Sequence, residues 1–219
     1  PRSVVIGTDI FERFLDENRL RTTELYTADD DWIRLAFLKA TLPESVVACL
    51  RAYLRSVHYP IAVRSSSLLE DSQWHPFAGV YHTLMIPNNH PDAEIRLDQL
   101  GDAVKLVYAS TFYSAARKYL EATPHRIEEQ LMGVILQQIV GTRHGDYFYP
   151  NFAGVMRSYN FYPFGHMKPE DGVASVALGL GDLVVGGAEA LRFCPAHPQV
   201  LPQLAIPKQF LRNSQRYFD

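Results

Sequence analysis

Arg64 stands where a fixed cation could meet a ligand. It follows the apolar run Ile61-Ala62-Val63, which reads as a buried strand, and opens the hydroxyl-rich run Ser65-Ser66-Ser67, which leads on to Glu70-Asp71-Ser72. A guanidinium at the end of a rigid strand can aim its planar fork of donors at an anion, and the natural anion is a phosphate. Downstream, Gly79 allows a backbone to approach a ligand closely, while amides around Val80 and the Thr83 hydroxyl could give further donors to phosphate oxygens. A plainer explanation stands beside this one, in which Arg64 pairs with Glu70 or Asp71 across an ordinary turn.

A second polar feature is the pair Gln137-Gln138 on the otherwise apolar stretch Met132 to Val140. A glutamine pair is odd for pure core, and adjacent strand residues face opposite sides, so the pair reads by itself as an exposed strand edge. The histidines contain no HExxH or similar ligand spacing, and Cys49 and Cys194 have the spacing of neither a zinc site nor a redox pair. Both cysteines read as plain buried thiols in a reducing cytoplasm. Lys105 and Lys118 read as solvated residues beside an apolar stripe.

These residues need elements to hold them. Val4-Val5-Ile6 reads as a strand, after which Thr8 can cap a helix with Phe11, Phe14 and Leu15 on one face. Asp29-Asp30-Asp31 suits the N-terminus of a second helix, with Trp32, Leu35 and Ala36 inward. Pro43 suits the first turn of a third, whose stripe of Val46, Val47, Leu50, Leu54 and Val57 stops at His58-Tyr59-Pro60. Strands are expected at residues 61–63 and 81–86, then a helical stripe from Leu97 to Tyr119 as one long helix or a broken pair. Met132 to Val140 and Phe152 to Tyr159 read as strands joined through a turn at 141–145, a hairpin-like antiparallel pair. Val173 to Leu178 reads as a further strand running into the glycine-rich segment 179–187, with residues 191–193 extended beyond it. Early strands and helices followed by hairpin-like strands make an α+β fold.

Bulk properties exclude several classes of function. With 219 residues, 47% hydrophobic and 21% charged, the chain can bury a substantial core. A formal net charge of -3 without a basic block gives no electrostatic case for a nucleic-acid or membrane partner. Apolar runs are broken within a few residues by charge or glycine, too soon to span a bilayer. The first residues, Pro1-Arg2-Ser3, lack an initiator Met and the last, Tyr217-Phe218-Asp219, stop in mid-pattern, so the chain is expected to be a piece of a longer protein.

The strings Ala62-Val63-Arg64-Ser65-Ser66-Ser67, Glu70-Asp71-Ser72, Phe77-Ala78-Gly79 and Thr83, in that order, resemble the nucleotide-binding signature of the phosphoenolpyruvate synthase and pyruvate phosphate dikinase family. Ile6-Gly7-Thr8, residues 109–119, 134–140, 154–156 and 179–186 agree in order, so the resemblance covers almost the whole chain. It implies an incomplete ATP-grasp domain with mixed, largely antiparallel sheets and flanking helices, holding ATP between two α+β subdomains. Arg64 would bind the phosphates and serve the chemistry, Gly79, Val80 and Thr83 would form the phosphate-covering loop, and Gln137, Gln138, Ile139 and Val140 would receive the adenine. The family's ATP-binding lysine lies upstream of Pro1 and its magnesium ligands lie downstream of residue 219, so this chain by itself is expected to be inactive.

The resemblance further implies a parent phosphotransferase that passes phosphate from ATP to its own histidine and then to pyruvate. Separate phosphohistidine and pyruvate-binding domains of the same parent would be the partners. None of the histidines here matches the phosphorylated one. Two departures, His75-Pro76 before Phe77 and Val80-Tyr81 after Gly79, leave room for a relative with another acceptor, or for a non-catalytic nucleotide sensor. Changing Gln137 and Gln138 one at a time should weaken ATP binding unequally, because the two face opposite sides. Equal and negligible effects in a titration of folded variants would mean a solvated strand edge.

Overall fold

The computed structural model describes residues 1–70, 80–121, 126–127, 130–180, 184, 190–204 and 206–216, and the chain divides into two units, Pro1–Ile139 and Val140–Asp219. The fold is α+β with antiparallel sheets throughout. In the first unit β1 (Ser3–Ile6), β2 (Ile61–Ser66), β3 (Thr83–Ile86) and β4 (Gly133–Gln138) form one sheet in the order β1-β4-β2-β3. Register fixes which side chains share a face: Val63 lies opposite Leu136 and Leu84, and Arg64 lies opposite Ile135 and Thr83. The first set is apolar and turned toward the helices; the second is on the other face.

Six helices accompany this sheet among the described residues: α1 (Thr8–Glu17), α2 (Thr23–Thr27), α3 (Asp30–Lys39), α4 (Glu44–Ser56), α5 (Ala93–Ser110) and α6 (Ser114–Glu121). Helix α5 packs on β2 and β3, α1 on β4, and α3 and α4 on α5. The core between them is aromatic. Phe14 lies 5.7 Å from Phe37 and 5.5 Å from Tyr108 between ring centroids, and Phe37 lies 5.8 Å from Phe112.

Several local expectations change in the folded chain. Gly7, not Thr8, is the N-cap of α1, and Thr8 is its first helical residue. Asp29 caps α3 as the acidic run suggests, its carboxylate accepting the Trp32 N–H at 2.7 Å. The buried face of α3, however, is Ile33 and Phe37, while Trp32 and Leu35 are 43% and 47% exposed. Two overlapping stripes satisfy helical spacing in α3, and the aromatic partners of Phe37 decide between them. The long stripe is a broken pair: Thr111–Tyr113 are non-helical, which shifts the inward phase to Ala116 and Leu120 and leaves Ala115 exposed. Lys105 is not solvated; its ammonium donates to the Leu38 carbonyl near the end of α3 at 2.8 Å and pairs with Asp102.

The approach to β2 is held by a buried polar cluster. Asn88, just past β3, adopts a left-handed backbone with φ 50° and donates its amide to the Val57 and Tyr59 carbonyls, both at 3.1 Å. The buried Arg96 of α5 donates to Asn88 Oδ1 and to the Val57 carbonyl. Carbonyls at the end of α4 that water cannot reach are thereby satisfied.

In the second unit β5 (Thr142–His144) and β6 (Tyr147–Tyr149) form a hairpin, and β7 (Phe152–Arg157), β8 (Val173–Leu178) and β9 (Leu191–Phe193) form a three-stranded sheet in that order. The expected pairing of residues 132–140 with 152–159 does not occur, since β4 pairs with β1 and β2, and β7 with β8. The segment read as a turn contains β5, and the reversal falls at Gly145-Asp146, where Gly145 has φ 64°. A last helix, α7, spans Pro207–Asn213. No helix among the described residues is long and apolar enough to cross a membrane.

The orientation of α3 gives a direct check. Phe37→Ala should cost about 3–5 kcal/mol by removing a large buried ring, and Trp32→Ala less than about 1 kcal/mol. Denaturant midpoints of the two variants measure this, and the reverse order would mean that α3 is rotated.

Candidate functional site

The face of the first sheet opposite α1 and α5 gathers the polar residues singled out above. Strand β2 carries Arg64 there, with Thr83 directly across on β3 and Ile135 directly across on β4. Side chains opposite one another on adjacent strands are near neighbours. Gln137 is two residues along β4 on the same face, and Arg64 Nη1 donates to its Oε1 at 3.0 Å. Arg64 and Thr83 are exposed, and Gln137 is half-buried.

The alternative partner of Arg64 is engaged elsewhere. Glu70 accepts the Ser65 hydroxyl at 2.8 Å and the Ser67 N–H at 3.0 Å, and Ser65 belongs to the opposite face from Arg64. Among the described residues no carboxylate pairs with Arg64, and Asp71 lies outside them. Tyr81, on the far side of the loop, is buried, and that burial pushes its phenol above the ordinary range; the Ser67 hydroxyl opposes the shift and the Glu70 charge adds to it. The phenol is therefore neutral at physiological pH.

Of the expected phosphate loop, Gly79 lies outside the described residues, and Val80 is half-buried with its side chain against the core. The two glutamines separate as alternation requires. Gln138 belongs to the helix-side set, its N–H donating to the Arg2 carbonyl at 2.9 Å and its Oε1 accepting the Arg2 N–H at 3.4 Å. The Ile139 N–H donates to the Pro60 carbonyl at 3.0 Å. Val140 begins the second unit and its side chain is 63% exposed. In the glycine-rich segment, Gly179, Leu180 and Val184 are described, and the remaining residues lie outside.

Sequence reasoning missed two members of the open face. Val5 on β1 is 65% exposed and Met85 on β3 is 61% exposed, and register puts them in the set with Arg64 and Gln137. Apolar residues of a strand read as core, and only the pairing of four strands reveals that these two face outward. The result is one guanidinium, one amide and the hydroxyl residues Thr83, Ser3 and Ser66 on a sheet face that also carries exposed apolar side chains. Such a surface suits a ligand that has an anionic group and a flat apolar one.

Residues 1–201 match the family described as pyruvate phosphate dikinase, AMP/ATP-binding domain. The chain belongs to this family. A relative is the uncharacterised phosphotransferase YvkC of Bacillus subtilis (strain 168), 28% identical over 190 residues, which are 85% of this chain and 20% of that protein. This AMP/ATP-binding domain thus spans about one fifth of the length of its curated relative. Its α+β architecture of antiparallel sheets and flanking helices is that of a partial ATP-grasp domain.

Within the domain, Glu70 ties the start of the loop after β2 to the strand. Glu70→Ala would leave the Ser67 N–H, in a buried residue, without its acceptor and should cost about 1–3 kcal/mol in stability. Thermal or denaturant unfolding measures the loss, and an unchanged midpoint would mean that the loop is held by other contacts.

Proposed function

We propose that this domain is the ATP clamp of a phosphotransferase resembling phosphoenolpyruvate synthase and pyruvate phosphate dikinase, in which ATP phosphorylates an enzyme histidine that then passes the group to pyruvate. The observation that carries the reading is the open sheet face, where Arg64 has no carboxylate partner among the described residues and stands beside Thr83 and Gln137. A carboxylate partner would have neutralised Arg64; an amide oxygen leaves its charge in place. The membership in an AMP/ATP-binding family supports nucleotide as the anion, and the relative's name supports phosphoryl transfer.

In this reading Arg64 neutralises phosphate charge, Thr83 adds a hydroxyl donor from the next strand, and Gly79 with the Val80 backbone covers the phosphates. Gln137 and Gln138, with Ile139 and Val140, lie toward the base. Magnesium would neutralise the same phosphates when bound. In this reading the metal's ligands are assigned to the rest of the parent chain. The phosphohistidine and pyruvate-binding domains are likewise assigned to the rest of the parent chain. A cytoplasmic setting fits a phosphotransferase that uses ATP.

The test is Arg64→Ala in the intact protein. Loss of a charge-assisted hydrogen bond worth about 1.5–3 kcal/mol should weaken ATP binding roughly ten- to a hundredfold, measured by calorimetry with the fold checked by circular dichroism. Undiminished affinity in a folded variant would falsify the assignment of Arg64 to phosphate.

A further inference from the structure

The contact with Arg64 limits what the Gln137 amide can do. Arginine carries donors and no acceptor, so the atom of Gln137 within 3.0 Å of Arg64 Nη1 must be its carbonyl oxygen. The orientation of this amide is therefore dictated by its neighbour. It has left a second lone pair on that oxygen, which faces the guanidinium side, and the two N–H donors of Nε2, which make no hydrogen bond among the described residues.

Geometry also makes the contact a lateral one. Gln137 pairs with Ala62 on β2 and Ser3 on β1, so its backbone is set by ladders on both sides. Between Gln137 and Met85 on this face lies Ala62, 7% exposed, whose methyl leaves room for the side chains of Gln137 and Arg64 to meet above β2. A guanidinium without such a tether would lose rotamer freedom on binding, at a cost the tether has already met in part.

We propose that Gln137 is a positioning residue for Arg64 and that its amide N–H groups join the guanidinium in one donor set directed at phosphate oxygens, so that Gln137 does not read the adenine edge. This rests on the reading that Arg64 binds the nucleotide phosphates. It changes the assignment of Gln137 from the base end of the site to the phosphate end. A side chain held against the guanidinium that meets the phosphates lies with it at the phosphate end of the nucleotide.

The experiment uses the intact protein with ATP and inosine triphosphate, which keeps the phosphates and replaces the exocyclic amine with an oxo group. Affinities are measured for the parent, Gln137→Ala, Arg64→Ala and the double variant, each shown to be folded by its thermal transition. The expected result is that Gln137→Ala weakens both nucleotides by the same factor, roughly tenfold, a loss of the size of one hydrogen bond, and leaves their ratio unchanged. The double variant should lose less than the sum of the two single losses, because part of the Gln137 effect passes through Arg64. Gln137→Glu should weaken binding further than Ala, since a carboxylate would neutralise the guanidinium and repel phosphate. A ratio of ATP to inosine triphosphate affinity that collapses in Gln137→Ala, or full additivity in the double variant, overturns the proposal. If instead Arg64→Ala leaves both affinities unchanged, the phosphate reading itself fails, and the proposal fails with it for that separate reason.

Discussion

The register of β2 against β4 is the constraint on which the rest of the first unit depends. Side chains alternate along a strand with a period of two, so a slip of one residue would turn Val63 to solvent and drive Arg64 into the layer of Phe14, Phe37 and Tyr108. An unpaired guanidinium there would cost many times what any single contact in the chain supplies. The aromatic core and the open polar face are thus two consequences of one pairing. The same register brings Gln137 within reach of Arg64 from a strand more than seventy residues away in sequence.

Chemistry and architecture meet in the treatment of carboxylates. Glu70 is the acidic residue nearest Arg64 in sequence among those described, yet it spends its oxygens on Ser65 and on the Ser67 amide. Holding the acid on the loop beneath the sheet keeps the cation's charge available on the other face. An amide oxygen at Gln137 steadies the guanidinium without neutralising it. Few residue exchanges would preserve both properties.

Much of this was legible in the sequence. The run 61–63, the helical stripes of α4 and α5 and the strand 173–178 follow from local pattern, while the polar residues 64–66, read as loop, continue β2 because β4 pairs with them. Local pattern failed where two answers fit equally well. In α3 the stripes through Trp32 and through Phe37 are both helical, and only the position of Phe14 and Phe112 selects one. It failed again at residues 141–145, where a glycine at each end suggested a turn and Tyr147–Tyr149 supplied a partner strand instead. Val5 and Met85 were invisible as site residues because an outward-facing apolar side chain carries no mark of its own; the family match names the ligand class but not these two. The split of Gln137 from Gln138 was readable from alternation, while the bond to Arg64 was not, since it depends on which strands are neighbours.

The cluster of Asn88 and Arg96 has a consequence for the segment that joins β2 to β3. Asn88 grips the Val57 and Tyr59 carbonyls, so the chain just before β2 is clasped to the chain just after β3, and the hairpin is closed at its base. Its ends are fixed by that clasp and by the ladder from Ile61–Ile86 to Arg64–Thr83, whatever the length of the connection between them. For a connection whose ends are already tied, closure entropy grows only logarithmically, and doubling its length costs about 0.6 kcal/mol. Lengthening the connection between Glu70 and Tyr81, which are themselves held, therefore costs little in closure entropy, and the strands that carry Arg64 and Thr83 stay in step.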